Sequence, residues 1–297
     1  MRVALIPILI APILLFAAAC GTGTDGGGEP EAGPGESSLP TTEPAPEPSP
    51  QLYEADTTVL DDGEKGPMLC LGGMLESLPP QCGDVPIANW DWAAVEGAES
   101  AAGTTWGAYH VVGSYDGETF TVTEVGPFEG EEPAAETDFS SPCPEPEGGW
   151  PVPDPSLATQ EHAHAASAYA TSQPDYVGSW VTHLEPERAE FGPVVFNVVF
   201  TGVVAHHEEE LRKVWEGPLC IVRRDVHTAK ELARIRKEVE SGLPDLGLQM
   251  LWSQGPAVEP TVEIGVVADP DGAAQAALDE RYGPGIVVLH PALRPVQ

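Results

Sequence analysis

The sequence predicts an α+β protein, and three observations support this class. Short strand patterns separated by Gly, Pro and Asp fill residues 53–128, whereas helical and strand patterns alternate over residues 156–297. An acidic, proline-rich passage over residues 129–155 separates these two regions and has the composition of a linker. We therefore expect an all-β domain, a linker and a mixed α/β domain, in that order.

The clearest element of the all-β region is a hairpin. Its strands are predicted at Thr105–Tyr115 and Glu118–Val125, and Asp116–Gly117 suits a two-residue turn with positive φ. Five short strands in this span predict a small, barrel-like domain. The other three are predicted at Ala55–Leu60, Pro67–Leu71 and Ile87–Trp92.

Trp90, Trp92 and Trp106 make this region rich in tryptophan. On a strand, Trp90 and Trp92 share one face, so both pack into the core or both form an exposed platform. Core packing is favoured because large aromatic side chains dominate burial in small domains. A carbohydrate or peptide contact is the alternative.

The mixed region has a recognisable order of elements. From Leu219 onward the order is β-α-β-β-α-β, which predicts a ferredoxin-like antiparallel sheet with helices on one face. Thr228 and Glu231 form a capping box, and Asp269–Pro270 serve as cap and first position of the last helix. Predicted helices are 157–171, 206–215, 228–239 and 269–282; predicted strands are 194–203, 219–223, 248–252, 261–268 and 285–290.

The N-terminus carries an export signal. Arg2 is followed by an apolar run over residues 3–19, which is short for a spanning helix and contains two prolines. The segment Ala17-Ala18-Ala19-Cys20 resembles a bacterial lipobox, and the resemblance implies that the Cys20 thiol is lipidated after cleavage. Residues 1–20 are then a lipoprotein signal peptide. Plain secretion and a retained membrane anchor are the alternatives.

Residues 21–52 follow as a Gly-, Pro- and Glu-rich stalk that lacks the apolar surface needed to fold. Four further cysteines remain, an even number that suits two disulfides in an oxidising compartment. We favour Cys70 with Cys82 and Cys143 with Cys220; free thiols or metal ligands are the alternative. No C-x-x-C pair is present, so zinc-type spacing is absent.

Charge excludes one class of partner. The chain has a formal net charge of −34, and residues 51–155 contain one basic side chain, Lys65, against 21 acidic residues. Nucleic-acid binding needs basic patches, so we expect no nucleic-acid partner. Solubility outside a cell envelope explains the acidity, and a cationic partner or divalent cations are the sharper alternative.

The candidate chemistry is sparse. His162 and His164 lie on different sides of a helix, and His206–His207 lack the spacing of a zinc helix and fit a solvated helix start. Asp269, Asp271 and Glu280 match three positions of a calcium loop, but alanines occupy two others. We predict no metal, no cofactor and no catalytic residue.

Two resemblances concern the mixed region. The segments Tyr176–Trp180, Val194–Gly202, the Glu209 helix and Cys220–Val222 resemble α/β modules in the pro-regions of secreted bacterial serine proteases. No nucleophile motif of such proteases follows, so no protease activity is implied. Taken whole, including Leu278–Gly285, the chain is similar to uncharacterised lipoproteins of high-GC Gram-positive bacteria.

These features predict a lipid-anchored protein on the extracytoplasmic face of the cell membrane. The lipid on Cys20 is expected to attach the protein to the membrane. Its expected function is that of a structural or interaction protein with a protein partner in the envelope. A module that binds a ligand, cation or peptide is the alternative, and an enzyme ranks third.

The anchor is testable by substitution. Cys20→Ser removes the thiol that would carry the lipid, so we expect the protein to leave the membrane fraction, as measured by immunoblotting of fractionated cells. Thr22→Ser, two residues further on, should keep the wild-type distribution. Unchanged membrane attachment of Cys20→Ser would contradict the anchor.

Overall fold

A computed structural model describes residues 50–130, 137–185, 192–255 and 258–296. The predicted signal peptide, Cys20 and nearly all of the predicted stalk lie outside these ranges. The described residues confirm the mixed α and β class. Their strands are β1 Leu52–Asp61, β2 Pro67–Leu69, β3 Val85–Ala88, β4 Glu99–Ala101, β5 Thr104–Tyr115, β6 Phe120–Pro127, β7 Tyr176–His183, β8 Val194–Phe200, β9 Leu219–Arg223, β10 Met250–Gln254, β11 Val262–Val266, β12 Val287–Pro291 and β13 Arg294–Pro295. Their α-helices are α1 Gln160–Thr171, α2 Val204–Arg212, α3 Ala229–Gly242 and α4 Ala273–Tyr282.

The first six strands and the last one form a single seven-stranded sheet. Its order is β13-β1-β2-β3-β6-β5-β4, and β5 pairs with β1 as well as with β6. The long β1–β5 ladder runs from the Leu52–Ser114 pair to the Asp61–Thr105 pair, and the predicted hairpin is the β5–β6 pair. Alternation along β1 buries Tyr53, Ala55 and Val59, which line the core of this sheet.

The rest of the chain contains the same unit twice. The elements α1-β7-β8-α2-β9 and α3-β10-β11-α4-β12 follow one order, and each unit contains one three-stranded sheet. In both sheets the middle strand pairs antiparallel with the strand before it and parallel with the strand after it. We call these units repeat 1 and repeat 2.

Details of packing agree between the repeats. Helix α1 buries alanines at 163, 166 and 170, and α3 buries Leu232, Ile235 and Val239 with the same spacing of three and four residues. Both antiparallel ladders are interrupted at the same place, between Tyr176 and Gly178 and between Met250 and Trp252. A shared bulge is a specific feature of a strand pair, which supports an internal duplication.

The ferredoxin-like prediction is wrong in its sheet, although the order of elements from β9 to β12 is as predicted. Strand β9 pairs with β8, not with the sheet of repeat 2. The predicted order therefore combines the last strand of repeat 1 with all of repeat 2. The physical reason is β8, whose seven residues are all buried and which is flanked by β7 and β9.

Several predicted boundaries shift by a few residues, and two of these shifts have a clear local cause. Helix α4 begins at Ala273 after the left-handed Gly272, not at Pro270, because Asp269 caps from further away by accepting the Ala274 and Gln275 amides at 3.3 and 3.1 Å. The strand predicted over Ile87–Trp92 ends at Ala88, since Asn89 has a φ of 59° and turns the chain. The Thr228–Glu231 capping box is confirmed.

The C-terminal residues join repeat 2 to the first sheet. The Leu293 amide donates to the Val267 carbonyl at 2.8 Å, while the Leu293 side chain is fully buried in the core of the first sheet. Strand β13 then pairs Arg294 with Glu54 of β1. The regions 53–128 and 156–297 are therefore in direct contact.

Both favoured disulfides are present. Cys70 is bonded to Cys82 and Cys143 to Cys220, with Cα–Cα distances of 5.4 and 5.8 Å. The second bridge ties the proline-rich passage to β9, and the Trp180 indole of β7 donates to the Ser140 carbonyl of the same passage at 3.2 Å. Two disulfides are consistent with a secreted protein. In the described part of the chain, no helix is long and apolar enough to cross a membrane.

Gly113 tests the packing of the first sheet. A Cβ at this position would lie 2.2 Å from the Thr121 carbonyl oxygen, which is backbone and cannot move aside cheaply. We expect Gly113→Ala to lower the free energy of unfolding by about 1–3 kcal/mol in denaturant titrations.

Gly126→Ala, on the neighbouring strand, is the matched control, because its nearest neighbour is the His110 Cβ at 3.8 Å. Its effect should stay within about 0.5 kcal/mol. Equal effects of the two substitutions would contradict the close approach at Gly113.

Candidate interaction site

The Cys70–Cys82 disulfide closes a short loop between β2 and β3, and we call residues 70–82 the bridged loop. Its base is fixed to the first sheet, because the Thr57 hydroxyl donates to the Cys70 carbonyl at 3.0 Å and the Gly72 amide donates to the Asp84 carboxylate at 2.7 Å. Further out, the Leu75 amide donates to the Gln81 carbonyl at 3.0 Å. The loop is thus held by a covalent bridge and by hydrogen bonds.

The tip of the bridged loop is apolar and exposed. Met74, Leu75 and Leu78 are 42%, 65% and 82% exposed, and no other stretch of five residues in the described ranges carries three large exposed hydrophobic side chains. Single exposed hydrophobic residues are ordinary, but a cluster of them marks an interaction surface. Its presentation on a bridged loop lowers the ordering entropy that a partner would otherwise have to overcome.

A second feature is a cleft of about 390 Å³ where repeat 2 meets the first sheet. Trp252, Gly265 and His290 lie opposite one another across β10, β11 and β12. Because Gly265 has no side chain, the Trp252 indole crosses it and stacks on the His290 ring, with centroids 5.4 Å apart. Trp252 and His290 line one wall of the cleft, and Asp56 lines it from β1. Its volume falls in the range of ligand pockets.

A buried polar cluster lies in repeat 1. His207 is 6% exposed; its Nε2 is 3.0 Å from the Asp175 carboxylate, and its Nδ1 is 3.1 Å from the Tyr169 hydroxyl. The imidazole also stacks on Phe200, with ring centroids 3.8 Å apart. The predicted solvated helix start is therefore wrong for His207, which is buried because α2 begins at Val204 and turns this residue toward α1 and β8.

This cluster has the order carboxylate, imidazole, hydroxyl, but its terminal group is not an activated nucleophile. Burial, and then the nearby Glu210 and Asp175 carboxylates, raise the pKa of Tyr169 above the ordinary value of 10.0. A nucleophilic phenolate would need a lowered pKa. The cluster is better explained as a set of hydrogen bonds that satisfies its buried polar groups and joins α1, α2 and Asp175, the residue before β7.

The other predicted positions are distributed as follows. The His162 Nδ1 is 2.8 Å from the hydroxyl of Thr159, the residue that precedes α1. Asp269 and Asp271 both accept amides of the first turn of α4, which confirms the helix-cap interpretation of these acids. Within the described ranges, no three His, Cys, Asp or Glu side chains converge on a point that could hold a metal ion.

Trp90 and Trp92 pack against the core of the first sheet, as favoured from the sequence. Their rings are 5.4 Å apart in an edge-to-face arrangement, and Trp90 also lies 5.2 Å from the Tyr109 ring. They do not share a strand face, because Trp92 lies in a short 3-10 helix. Trp252, by contrast, lines the cleft. The sequence predicts that it lies on a strand but indicates no functional role for it.

The motifs considered in the sequence did not indicate the bridged loop as a candidate site, although the sequence contains a feature that predicts its exposed apolar residues. A loop of this size has no core of its own, so Met74, Leu75 and Leu78 between two bonded cysteines have little apolar surface to pack against. Cleft residues gave no such signal, because Asp56, Trp252 and His290 are far apart in sequence and are brought together by tertiary packing.

Comparison with known proteins finds no matching family model, curated protein or solved structure. Function must therefore be inferred from the geometry of the chain itself.

Tyr169 offers a test of the buried cluster by pH. Since its pKa in the folded state is raised, the protonated phenol stabilises the fold below the ordinary pKa of 10.0, and this stability is lost as pH rises through the folded pKa. Tyr169→Phe should lower the free energy of unfolding by about 1 kcal/mol at neutral pH.

The same variant should lose less stability than wild type between about pH 9 and 11. Urea titrations at both pH values measure this difference. An identical alkaline loss in the two proteins would contradict the burial of the phenol.

Proposed function

We propose that the protein is a lipid-anchored interaction protein of the extracytoplasmic face, and that the bridged loop is its docking element. The observation that carries this proposal is the exposure of Leu75 and Leu78, at 65% and 82%, on a loop fixed by a disulfide. The resemblance of the N-terminus to a lipobox, and the two disulfides, support the location.

Charge specifies the partner. Among the Asp, Glu, Lys and Arg side chains of residues 51–130, all except Lys65 are acidic, and Glu76 lies between Leu75 and Leu78 in the apolar tip. Complementary potentials favour the encounter of two proteins, so the partner that fits is an envelope protein with an apolar pocket and a cationic rim. The same acidity disfavours insertion of the loop into an anionic lipid surface.

A second function is supported by the cleft at Trp252. An aromatic wall beside charged and backbone polar groups is the ordinary composition of a small-ligand site. A ligand-binding lipoprotein is therefore the runner-up.

Site-specific photo-crosslinking in intact cells tests the docking element. A photoreactive phenylalanine analogue at Leu78 should give one discrete covalent adduct, and Leu75→Ser in the same chain should reduce its yield several-fold. The matched control places the analogue at Val203, which is 78% exposed but lies in repeat 1 and outside the loop.

We expect no discrete adduct from Val203. Absence of an adduct at Leu78, or equal adducts at Leu78 and Val203, would overturn the docking role of the loop. Circular dichroism checks that Leu75→Ser is folded, as expected for an exposed position.

A further inference from the structure

A groove of about 1090 Å³ lies along the exposed side of α3. It runs between α3, the end of α4 and the turn after α1. Its lining includes the exposed side chains of Ala233 and Pro174. Its full lining is Pro174, Thr228, Lys230, Glu231, Ala233, Arg234, Lys237, Glu238, Ser241 and Arg281.

The charge of this groove is opposite to that of the chain. Four cationic side chains line it against two carboxylates, in a protein with a formal net charge of −34. Only 13 basic residues occur in the whole sequence, so this concentration is a specific feature of the α3 surface. The cationic side chains are Lys230, Arg234, Lys237 and Arg281.

The two carboxylates are already engaged within the protein. Glu231 completes the capping box and accepts the Thr228 amide at 2.8 Å. Glu238 accepts Arg234 at 2.6 Å and lies 3.9 Å from Arg281. These bonds lower the pKa of both glutamates, chiefly through the Thr228 amide and the Arg234 side chain respectively, so both stay ionised and paired.

Lys230 and Lys237, by contrast, have no carboxylate within 4.0 Å in the described part of the chain, whose ion pairs involve other side chains. Both lysines are exposed. Two unpaired ammonium groups thus remain on the groove after its internal ion pairs are formed.

The net charge of the chain does not prevent anion binding here. At physiological ionic strength the Debye length is about 8 Å, so exposed charges farther away are largely screened. An anion in the groove therefore responds mainly to the side chains that line it, which are four cations and two carboxylates, and among them to the unpaired Lys230 and Lys237. The net negative charge of the chain favours the approach of cationic partners, whereas the local positive charge of this groove favours the binding of an anionic one.

The spacing suits an extended peptide. Lys230, Arg234 and Lys237 recur at intervals of four and three residues, which places them on one side of the helix. The axial distance is about 6 Å from Lys230 to Arg234 and about 4.5 Å from Arg234 to Lys237. Alternate side chains of an extended strand point the same way about 6.7 Å apart, and the flexible lysine side chains can cover the difference, so acidic residues at alternate positions would face successive cations.

We propose that this groove binds an extended acidic peptide segment of a partner protein. The groove lies on elements that do not include the bridged loop, so the two binding surfaces are tested by separate variants and the failure of one leaves the other intact.

Fluorescence anisotropy with a labelled decapeptide of alternating Glu and Thr, added to the full chain, tests the proposal. We expect saturable binding at about 0.15 M salt that weakens as salt is raised. The corresponding Lys-Thr decapeptide should not compete for the groove. Lys230→Glu/Lys237→Glu should weaken binding of the acidic peptide by about tenfold, because two cations are reversed.

Lys65→Glu/Lys213→Glu is the matched control, since it changes the net charge equally at two exposed positions outside the groove. It should keep binding within about twofold of wild type, because exposed charges that do not line the groove are largely screened at this salt concentration. Lys230→Gln/Lys237→Gln repeats the test without adding negative charge, and circular dichroism confirms that each variant is folded.

Three results would overturn the proposal. The first is no saturable binding of the acidic peptide by the wild-type chain. The second is equal loss in the groove variant and the control variant, which would assign the effect to the long-range field. The third is binding of heparin at the groove without binding of the peptide, which would make the ligand an anionic polysaccharide.

Discussion

Burial of Leu293 in the core of the first sheet is the contact on which the arrangement of the described chain depends. This side chain is fully buried in a core that includes residues of β1, β3 and β6, yet its amide still bonds to Val267, just after β11. Only Ala292 and Leu293 separate β12 of repeat 2 from β13, which pairs with β1 in the first sheet. The cleft lined by Trp252 and Asp56 exists because this contact holds the two sheets together.

The sheets of the two repeats have the same topology but different surfaces. In repeat 1 the face away from α1 and α2 is closed, because Trp180 and Val199 are buried and the proline-rich passage is bonded across it. In repeat 2 the corresponding face carries Trp252, Glu263 and His290 beside the cleft. Helix α3 differs from α1 in a second respect, since its exposed side carries the cationic groove, whereas α1 contains no Lys or Arg. The two units thus share one order of elements and differ in the surfaces they expose.

Local patterns predicted the elements well and their partners poorly. The β5–β6 hairpin, the α3 capping box and the strand over residues 219–223 each depend on neighbouring residues, so the sequence was sufficient to place them. Cysteine number and spacing likewise favoured the two disulfides that the structure contains. Strand β9 joins the sheet of repeat 1 because it pairs with the fully buried β8. This pairing is a long-range contact that no local sequence pattern indicates. The same limit applies to His207, whose partners Asp175 and Tyr169 are 32 and 38 residues away.

Hydrogen exchange of Leu293→Ala measures the contact at Leu293 most directly. Truncating a fully buried leucine removes about 2–5 kcal/mol of stability. Because Leu293 contacts both the first sheet and repeat 2, its truncation should destabilise both. We predict faster amide exchange in β1 and in β11 alike, on opposite sides of the substituted residue. Faster exchange confined to residues 291–296, with β1 and β11 unchanged, would contradict the claim that this contact unites the fold.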